Sequence, residues 1–106
     1  AGRGPLRAYL ALLPGLRAAE AFLASGRPLA ASVAWQDGQL PGAPLPASGG
    51  HLLVVRGFAP NGDVIVNDPA APSDLEVRRA YPRGAFERQW LGHSLGLVYV
   101  IEPVED

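Results

Sequence analysis

Two apolar runs joined by a short turn signal constrain the fold of this chain more than any other feature. The segments HLLVVRGF (51–58) and DVIVNDP (63–69) are rich in β-branched and large apolar residues. They flank the sequence APNG, and the Asn61-Gly62 pair is a strong signal for a tight turn between antiparallel strands. The centre of the chain is therefore predicted to form a β-hairpin.

Further elements are predicted before the hairpin. Residues 1–15 contain two prolines and are expected to form a loop, and the apolar spacing of residues 16–25 predicts a helix. Residues 28–35 are predicted to form a strand. Residues 36–50, which include the proline-rich stretch LPGAPLP, are predicted to form a long, stiff loop.

The sequence after the hairpin predicts strands over 76–81 and 96–103, with a short helix between them that opens at Pro82. Phe86 and Trp90 are four residues apart and are expected to face the same core. Taken with the hairpin, these segments predict an α+β fold, a mainly antiparallel β-sheet with one or two short helices.

Composition narrows the classes of function. A chain of 106 residues is expected to be a single domain or a fragment of one, and the absence of any methionine indicates a fragment. A net charge of −1 argues against a nucleic-acid partner, and no apolar run approaches the ~18 residues of a membrane span. The absence of cysteine excludes disulfides and thiol catalysis within these residues.

The register of the hairpin decides whether His51 and Asp68 come together. If the turn comprises residues 59–62, Phe58 faces Asp63 and Asp68 lies opposite Leu53. His51 is then a diagonal neighbour of Asp68 on the same face of the sheet. A strict two-residue turn moves the two side chains out of contact, and a three-residue turn sends them to opposite faces.

A histidine paired with an aspartate is suited to proton transfer. A histidine exchanges protons near neutral pH, and a carboxylate on its second ring nitrogen fixes its tautomer and orientation. Gly50 leaves the space in front of His51 unblocked, and Asn67 is a reserve candidate for orienting the ring. A purely structural histidine is the open alternative. No metal site is expected, because His93 is far from His51 in sequence and has no ligand spacing; we expect a surface or loop residue there.

Four stretches of the chain resemble a known family. They are GRPLAASVAW, LPGAPLPASGGHLLVVRGF, NGDVIVNDPAAP and VRRAYPRGAFERQWL with the later VYVI, and they are similar to segments of stand-alone bacterial papain-like cysteine peptidases. Those proteins are related to the double-glycine peptidases that trim bacteriocin leader peptides. The resemblance runs from about Pro14 to Ile101. Its most specific parts are the GH that heads an apolar run and the NDP that follows the hairpin.

The resemblance implies a Cys-His-Asp triad that hydrolyses peptide bonds through a thioester, without a metal or other cofactor. By that resemblance His51 matches the catalytic base, Asp68 matches its orienting acid, and the substrate is a peptide or protein. Relatives of this kind are often exported bacterial proteins, but the sequence itself leaves the localisation unassigned.

The chain departs from the family pattern at the nucleophile. In the family the cysteine opens an N-terminal helix and a preceding glutamine helps to hold the oxyanion, and no segment here matches that helix. Gln36 follows a strand and is not assigned that role. None of the five serines clearly begins a helix beside the hairpin, and we expect the chain alone to be inactive. The serines are Ser25, Ser32, Ser48, Ser73 and Ser94.

Three interpretations follow from this departure. Residues 1–106 are the C-terminal, β-rich half of a papain-like domain, whose partner is the missing N-terminal half or a second copy. The partner would bind an open, partly apolar face that carries His51 and Asp68. Alternatively, the domain is a non-catalytic module that keeps a peptide groove lined by Trp35 and the LPGAPLP loop. In the third interpretation His51 and Asp68 are only a stabilising pair.

Overall fold

The structure is a computed structural model that describes residues 5–43, 47–67 and 78–104. Six strands and two helices make up most of these residues. In chain order they are β1 (Leu6–Leu12), α1 (Leu16–Ala24), β2 (Leu29–Trp35), β3 (Ser48–Phe58), β4 (Val64–Asn67), β5 (Arg78–Tyr81), α2 (Arg83–Ser94) and β6 (Leu97–Pro103).

The six strands form one sheet in the order β1-β6-β2-β3-β4-β5. Every neighbouring pair is antiparallel, and the last strand, β6, lies between β1 and β2. The prediction of a mainly antiparallel α+β fold with one or two short helices is therefore confirmed; the described residues form two.

The sheet has a covered face and an open face. Along β2, Leu29, Ala31 and Val33 are buried, whereas the alternate residues are only half-buried. The buried set packs in one core with residues of both helices, including Leu16 of α1 and Trp90 of α2. Both helices therefore cover one face, and no described helix covers the opposite face, which we call the open face.

The prediction of a loop over residues 1–15 is wrong for its central part. Residues Leu6–Leu12 form β1, an edge strand that pairs with β6 from Leu6 opposite Pro103 to Leu12 opposite Leu97. Pro5 and Pro14 lie outside this strand, so neither interrupts its hydrogen-bond ladder. Residues 1–4 of the predicted loop lie outside the described residues.

The hairpin of β3 and β4 forms as predicted, with a different turn. Ala59 N–H donates to the Asp63 carbonyl over 2.9 Å, so three residues form the loop and Phe58 pairs with Val64 rather than Asp63. Arg56 is then an extra residue in β3, a β-bulge, and the pairing continues with Val54 opposite Asn67. The bulge restores, at this end of the hairpin, the register that a four-residue turn over residues 59–62 would give.

Two side-chain contacts hold the helices to each other. The Glu87 carboxylate of α2 accepts a hydrogen bond of 2.8 Å from the Leu16 N–H, the first residue of α1. Arg83 of α2 pairs with Glu20 of α1 at 2.7 Å. The first contact matters because Gly15, which precedes α1, has no side chain to cap the helix.

Replacement of Glu87 by alanine is expected to lower the free energy of unfolding by about 1 kcal/mol, the usual cost of a lost N-terminal cap. Urea unfolding monitored by tryptophan fluorescence measures this change. Arg88→Ala, at the exposed neighbouring position, is the control and is expected to leave stability nearly unchanged. Equal stability of the two variants would contradict the capping role.

An ion pair joins the two strands at the β1 edge. Arg7 donates to the Glu102 carboxylate over 2.7 Å, and this hydrogen bond, with the charge of Arg7, holds the pKa of Glu102 below its usual value. A lowered pKa in the folded state adds stability above the ordinary carboxyl pKa, and this contribution is lost as the pH falls through the lowered value.

Wild-type protein is therefore expected to lose more stability than Glu102→Gln when the pH is lowered from neutral to about 3. The reason is that the neutral amide cannot be protonated in this range. Urea midpoints of both proteins at several pH values provide the measurement. Parallel pH profiles would show that the ion pair does not stabilise the fold.

Candidate functional site

His51 lies on the covered face of the sheet. It pairs across the ladder with Val33 of β2, which is fully buried, and directly opposed residues share a face. The His51 side chain is half-buried. The expectation that an open apolar face carries His51 is therefore corrected: exposed Leu10, Leu52 and Tyr99 lie on the opposite face.

The imidazole of His51 packs against the indole of Trp35. The ring centroids are 5.9 Å apart and the planes are inclined by 70°, an edge-to-face arrangement that aromatic rings favour. Trp35 is only 3% exposed, so its ring is held by the core. A fixed indole on one side restricts the orientations that are open to the His51 ring.

A second β-bulge lies immediately before His51. Val33 pairs with His51 but Trp35 pairs with Ser48, so Gly49 and Gly50 together face the single residue between Val33 and Trp35. The Ser48 hydroxyl contacts both polar backbone groups of Gly50, at 3.3 and 3.4 Å. The Gly49-Gly50 pair thus allows the strand to bend immediately before His51.

His93 of α2 lies beside Gly50. A β-carbon at position 50 would lie 3.8 Å from His93 Nε2, so the His93 ring sits directly beside the residue that precedes His51. His93 is exposed and belongs to α2, near its C-terminal end. It is a surface residue, as predicted, but it is helical and borders the candidate site.

A cleft of about 570 Å³ opens beside these residues, and we call it the α2 cleft. Its walls come from the end of β2 and the residues after it (34–36 and Gln39), from Ala47 and the first two residues of β3 (48 and 49), and from Gln89, Gly92 and His93 of α2. Trp35 contributes to this wall and also contacts His51, so one residue links the α2 cleft to the histidine. Its volume is within the usual range for small-ligand sites.

The structure brings together three of the five predicted site residues. His51, Gly50 and Trp35 lie side by side at the start of β3. Asn67 does not join them: it pairs with Val54, which places it on the open face. Asn67 instead lines a separate cavity of about 320 Å³.

Asp68 lies outside the described residues, and its pairing with His51 stays a prediction. Residues 44–46 of the LPGAPLP loop and residues 76 and 77 of the predicted strand 76–81 also lie outside them.

Sequence reasoning missed the polar wall of the α2 cleft. Gln89 and His93 are four residues apart on α2, and this spacing places both side chains on one helix face. The signal was therefore present, but nothing in the sequence indicated that this helix face meets the loop after β2.

Two classes of site find no support in the part of the chain that the structure describes. It contains no group of three histidine, cysteine or acidic residues that would hold a metal ion. Neither α1 nor α2 is long and apolar enough to cross a membrane.

Comparison with known proteins identifies the family. Neither the curated proteins nor the solved structures gave a match to this sequence. The model of the Peptidase C39 like family matches residues 15–94, which run from the start of α1 to the end of α2 and include His51, Trp35 and His93. The match covers well over half of the chain. This chain therefore belongs to the Peptidase C39 like family.

Proposed function

We propose that this domain supplies the general base of a cysteine-peptidase-like site, with His51 as that base. The thiol nucleophile comes from a polypeptide segment outside these 106 residues, and the chain acts as the C-terminal, β-rich half of the domain. The observation that carries the proposal is the position of His51, which packs against Trp35, a residue in the wall of the α2 cleft.

The chemistry requires His51 to transfer one proton in each of two steps, formation and hydrolysis of a thioester. The imidazole takes the proton of the thiol, and the thiolate attacks the carbonyl carbon of the peptide bond. The resulting imidazolium gives this proton to the departing amine as the C–N bond breaks, which leaves a thioester. Water, deprotonated by His51, then attacks the thioester and releases the acid, and the proton returns to the thiolate.

We assign the orientation of His51 to Asp68, which would accept a hydrogen bond from the second ring nitrogen. Support comes from the register of the hairpin at its last described pair, Val54 opposite Asn67. This is the register on which the expected pairing of His51 and Asp68 depends. Asp68 follows Asn67 directly in the sequence.

The partners are a peptide or protein substrate and the thiol-bearing segment. That segment has to approach the start of β3, because an imidazole activates only a thiol within hydrogen-bond reach. Self-association through the open face is the alternative partner, and the exposed Leu10, Leu52 and Tyr99 support it. It would not bring a thiol to His51.

Mass spectrometry of the complete natural polypeptide tests the function. The protein is mixed with a capped peptide ester at low pH, quenched in acid and digested. A thioester adduct on a cysteine, formed in the wild type and absent in His51→Gln, is the expected result. A polypeptide that contains no cysteine, or an adduct that forms equally in both proteins, would contradict the proposal.

A second candidate function is peptide binding without hydrolysis. The α2 cleft is lined by residues of this chain itself, while the chain carries no cysteine. A domain of this kind would retain a peptide and release it unchanged. In the experiment above, peptide that is bound by the complete polypeptide but never cleaved would favour this candidate.

A further inference from the structure

We propose that the α2 cleft binds a peptide segment with uncharged side chains and selects against segments that carry acidic or basic ones. The inference rests on the proposed function for the class of ligand, a peptide. The charge selectivity is an additional property of this cleft, carried by the residues that form its wall.

The polar side chains in the wall are all suited to amide groups. Gln36, Gln39 and Gln89 each present a carboxamide, which both donates and accepts hydrogen bonds, and His93 adds an imidazole. These are the groups that pair with the N–H and C=O of a peptide backbone or with uncharged polar side chains. Phosphate and carboxylate ligands are instead bound by arginine and lysine.

Not all of these groups are occupied within the protein. The Gln39 carboxamide oxygen accepts the Gln36 N–H at 2.7 Å, and Gln89 Nε2 reaches the Gln39 carbonyl only at 3.4 Å. The side chains of Gln36 and His93 hydrogen-bond to no other described residue. They are therefore the wall groups that a ligand would engage first.

The wall of the α2 cleft also exposes backbone of the protein itself, at Gly49. Gly49 is exposed, and a β-carbon at that position would meet no atom within 4 Å. It lies in the β-bulge before His51, where strand pairing is interrupted. A bare glycine backbone lets an extended ligand approach closely, and this approach brings the ligand toward His51.

The charge selectivity follows from the absence of acidic and basic side chains among the described residues of the wall. None of the described residues that line the α2 cleft is Asp, Glu, Lys or Arg. Asp37 follows Gln36 in the sequence but is exposed and is not part of the wall. A charged side chain that enters the cleft loses part of its hydration and gains no counter-charge, which is unfavourable.

The test uses this chain and three capped tetrapeptides: acetyl-Ala-Gln-Ala-Gly-amide and its analogues with Glu or Lys in place of Gln. Binding is followed by ¹H–¹⁵N NMR through the side-chain amides of Gln36 and Gln89 and the backbone amide of Gly49. The uncharged peptide is expected to bind about five-fold more tightly than either analogue. Equal binding of all three, shifts confined to other residues, or no binding at millimolar peptide would overturn the proposal.

Charge variants sharpen the test. Gln36→Glu is expected to change the order, so that the Lys peptide binds most tightly and the Glu peptide least. Ala21→Glu adds the same charge on the exposed side of α1, away from the α2 cleft, and is expected to keep the original order. The same change of order in both variants would show that net charge, not the cleft, sets the preference.

The outcome is separable from that of the proposed function, because peptide binding needs no thiol. Charge-selective binding together with an adduct that is insensitive to His51 would leave the inference intact and remove the catalytic role. Unselective binding together with a His51-dependent adduct would do the reverse.

Discussion

Replacement of His51 by glutamine is expected to lower kcat/KM of the complete, thiol-bearing polypeptide by about 10³-fold or more. Glutamine keeps a polar side chain of similar size but neither takes a proton from the thiol nor returns one to the leaving amine. The measurement is hydrolysis of a fluorogenic peptide at substrate concentrations below KM. A loss smaller than about ten-fold would contradict the role of His51 as general base.

Leu52→Gln is the matched control for this variant. Leu52 is the next residue of β3, but its side chain is on the open face and is 46% exposed. The same new side chain is therefore introduced one position away, on the opposite side of the sheet. Activity is expected to stay within about two-fold of the wild type, since a surface substitution of this kind has little effect on folding.

Gly96→Ala is expected to have the largest effect on stability, a loss of about 3–5 kcal/mol that would leave little folded protein. Gly96 links α2 to β6 with φ = +86°, and a β-carbon there would overlap the carbonyl oxygen of Leu13. The backbone cannot move aside easily, because Leu13 N–H donates to the Gly96 carbonyl over 2.9 Å. Thermal unfolding followed by circular dichroism measures the loss.

Gly26→Ala separates the two causes. Gly26 has nearly the same conformation, φ = +82°, but a β-carbon there would meet nothing within 4 Å. It therefore reports the left-handed conformation alone, for which we expect a cost of about 1 kcal/mol. Equal destabilisation of both variants would show that the contact with Leu13 does not matter.

Much of the fold was predictable because the sequence signals for strands, turns and helices agreed with the elements that the structure contains. Asn61-Gly62 between two β-rich runs predicted the hairpin, and Phe86 and Trp90 are both buried in the core, as their spacing predicted. β1 was missed because its two flanking prolines suggested a loop. Its pairing with β6, some 90 positions later in the chain, leaves no local trace in the sequence.

The two β-bulges of β3 explain why the sequence alone did not determine the register of its strand pairing. The sequence left turns of two, three and four residues open, and the structure combines a three-residue loop with an extra residue at Arg56. The two shifts cancel by the time Val54 meets Asn67. A bulge has no reliable local signal at Arg56, but the one before His51 coincides with Gly49-Gly50, a pair that tolerates such backbone.

The site residues on or beside one strand could be predicted from the sequence. The site residues that come together only through tertiary packing could not. Three site residues were recognised from the sequence. His51 begins the predicted hairpin and Gly50 precedes it, while Trp35 lies in a segment that resembles the family. The wall formed by Gln36, Gln89 and His93 requires α2 to pack against the loop after β2. Asn67 was assigned to the site by its proximity in sequence, but strand alternation turns it to the other face.

The most direct test of the central claim is the pH dependence of cysteine alkylation in the complete natural polypeptide. A thiol paired with His51 is expected to react with iodoacetamide already near pH 6, since the imidazolium stabilises the thiolate. In His51→Gln the reaction is expected to follow the ordinary thiol pKa of about 8.5. Identical profiles for the two proteins would contradict the pairing of this domain's histidine with a thiol.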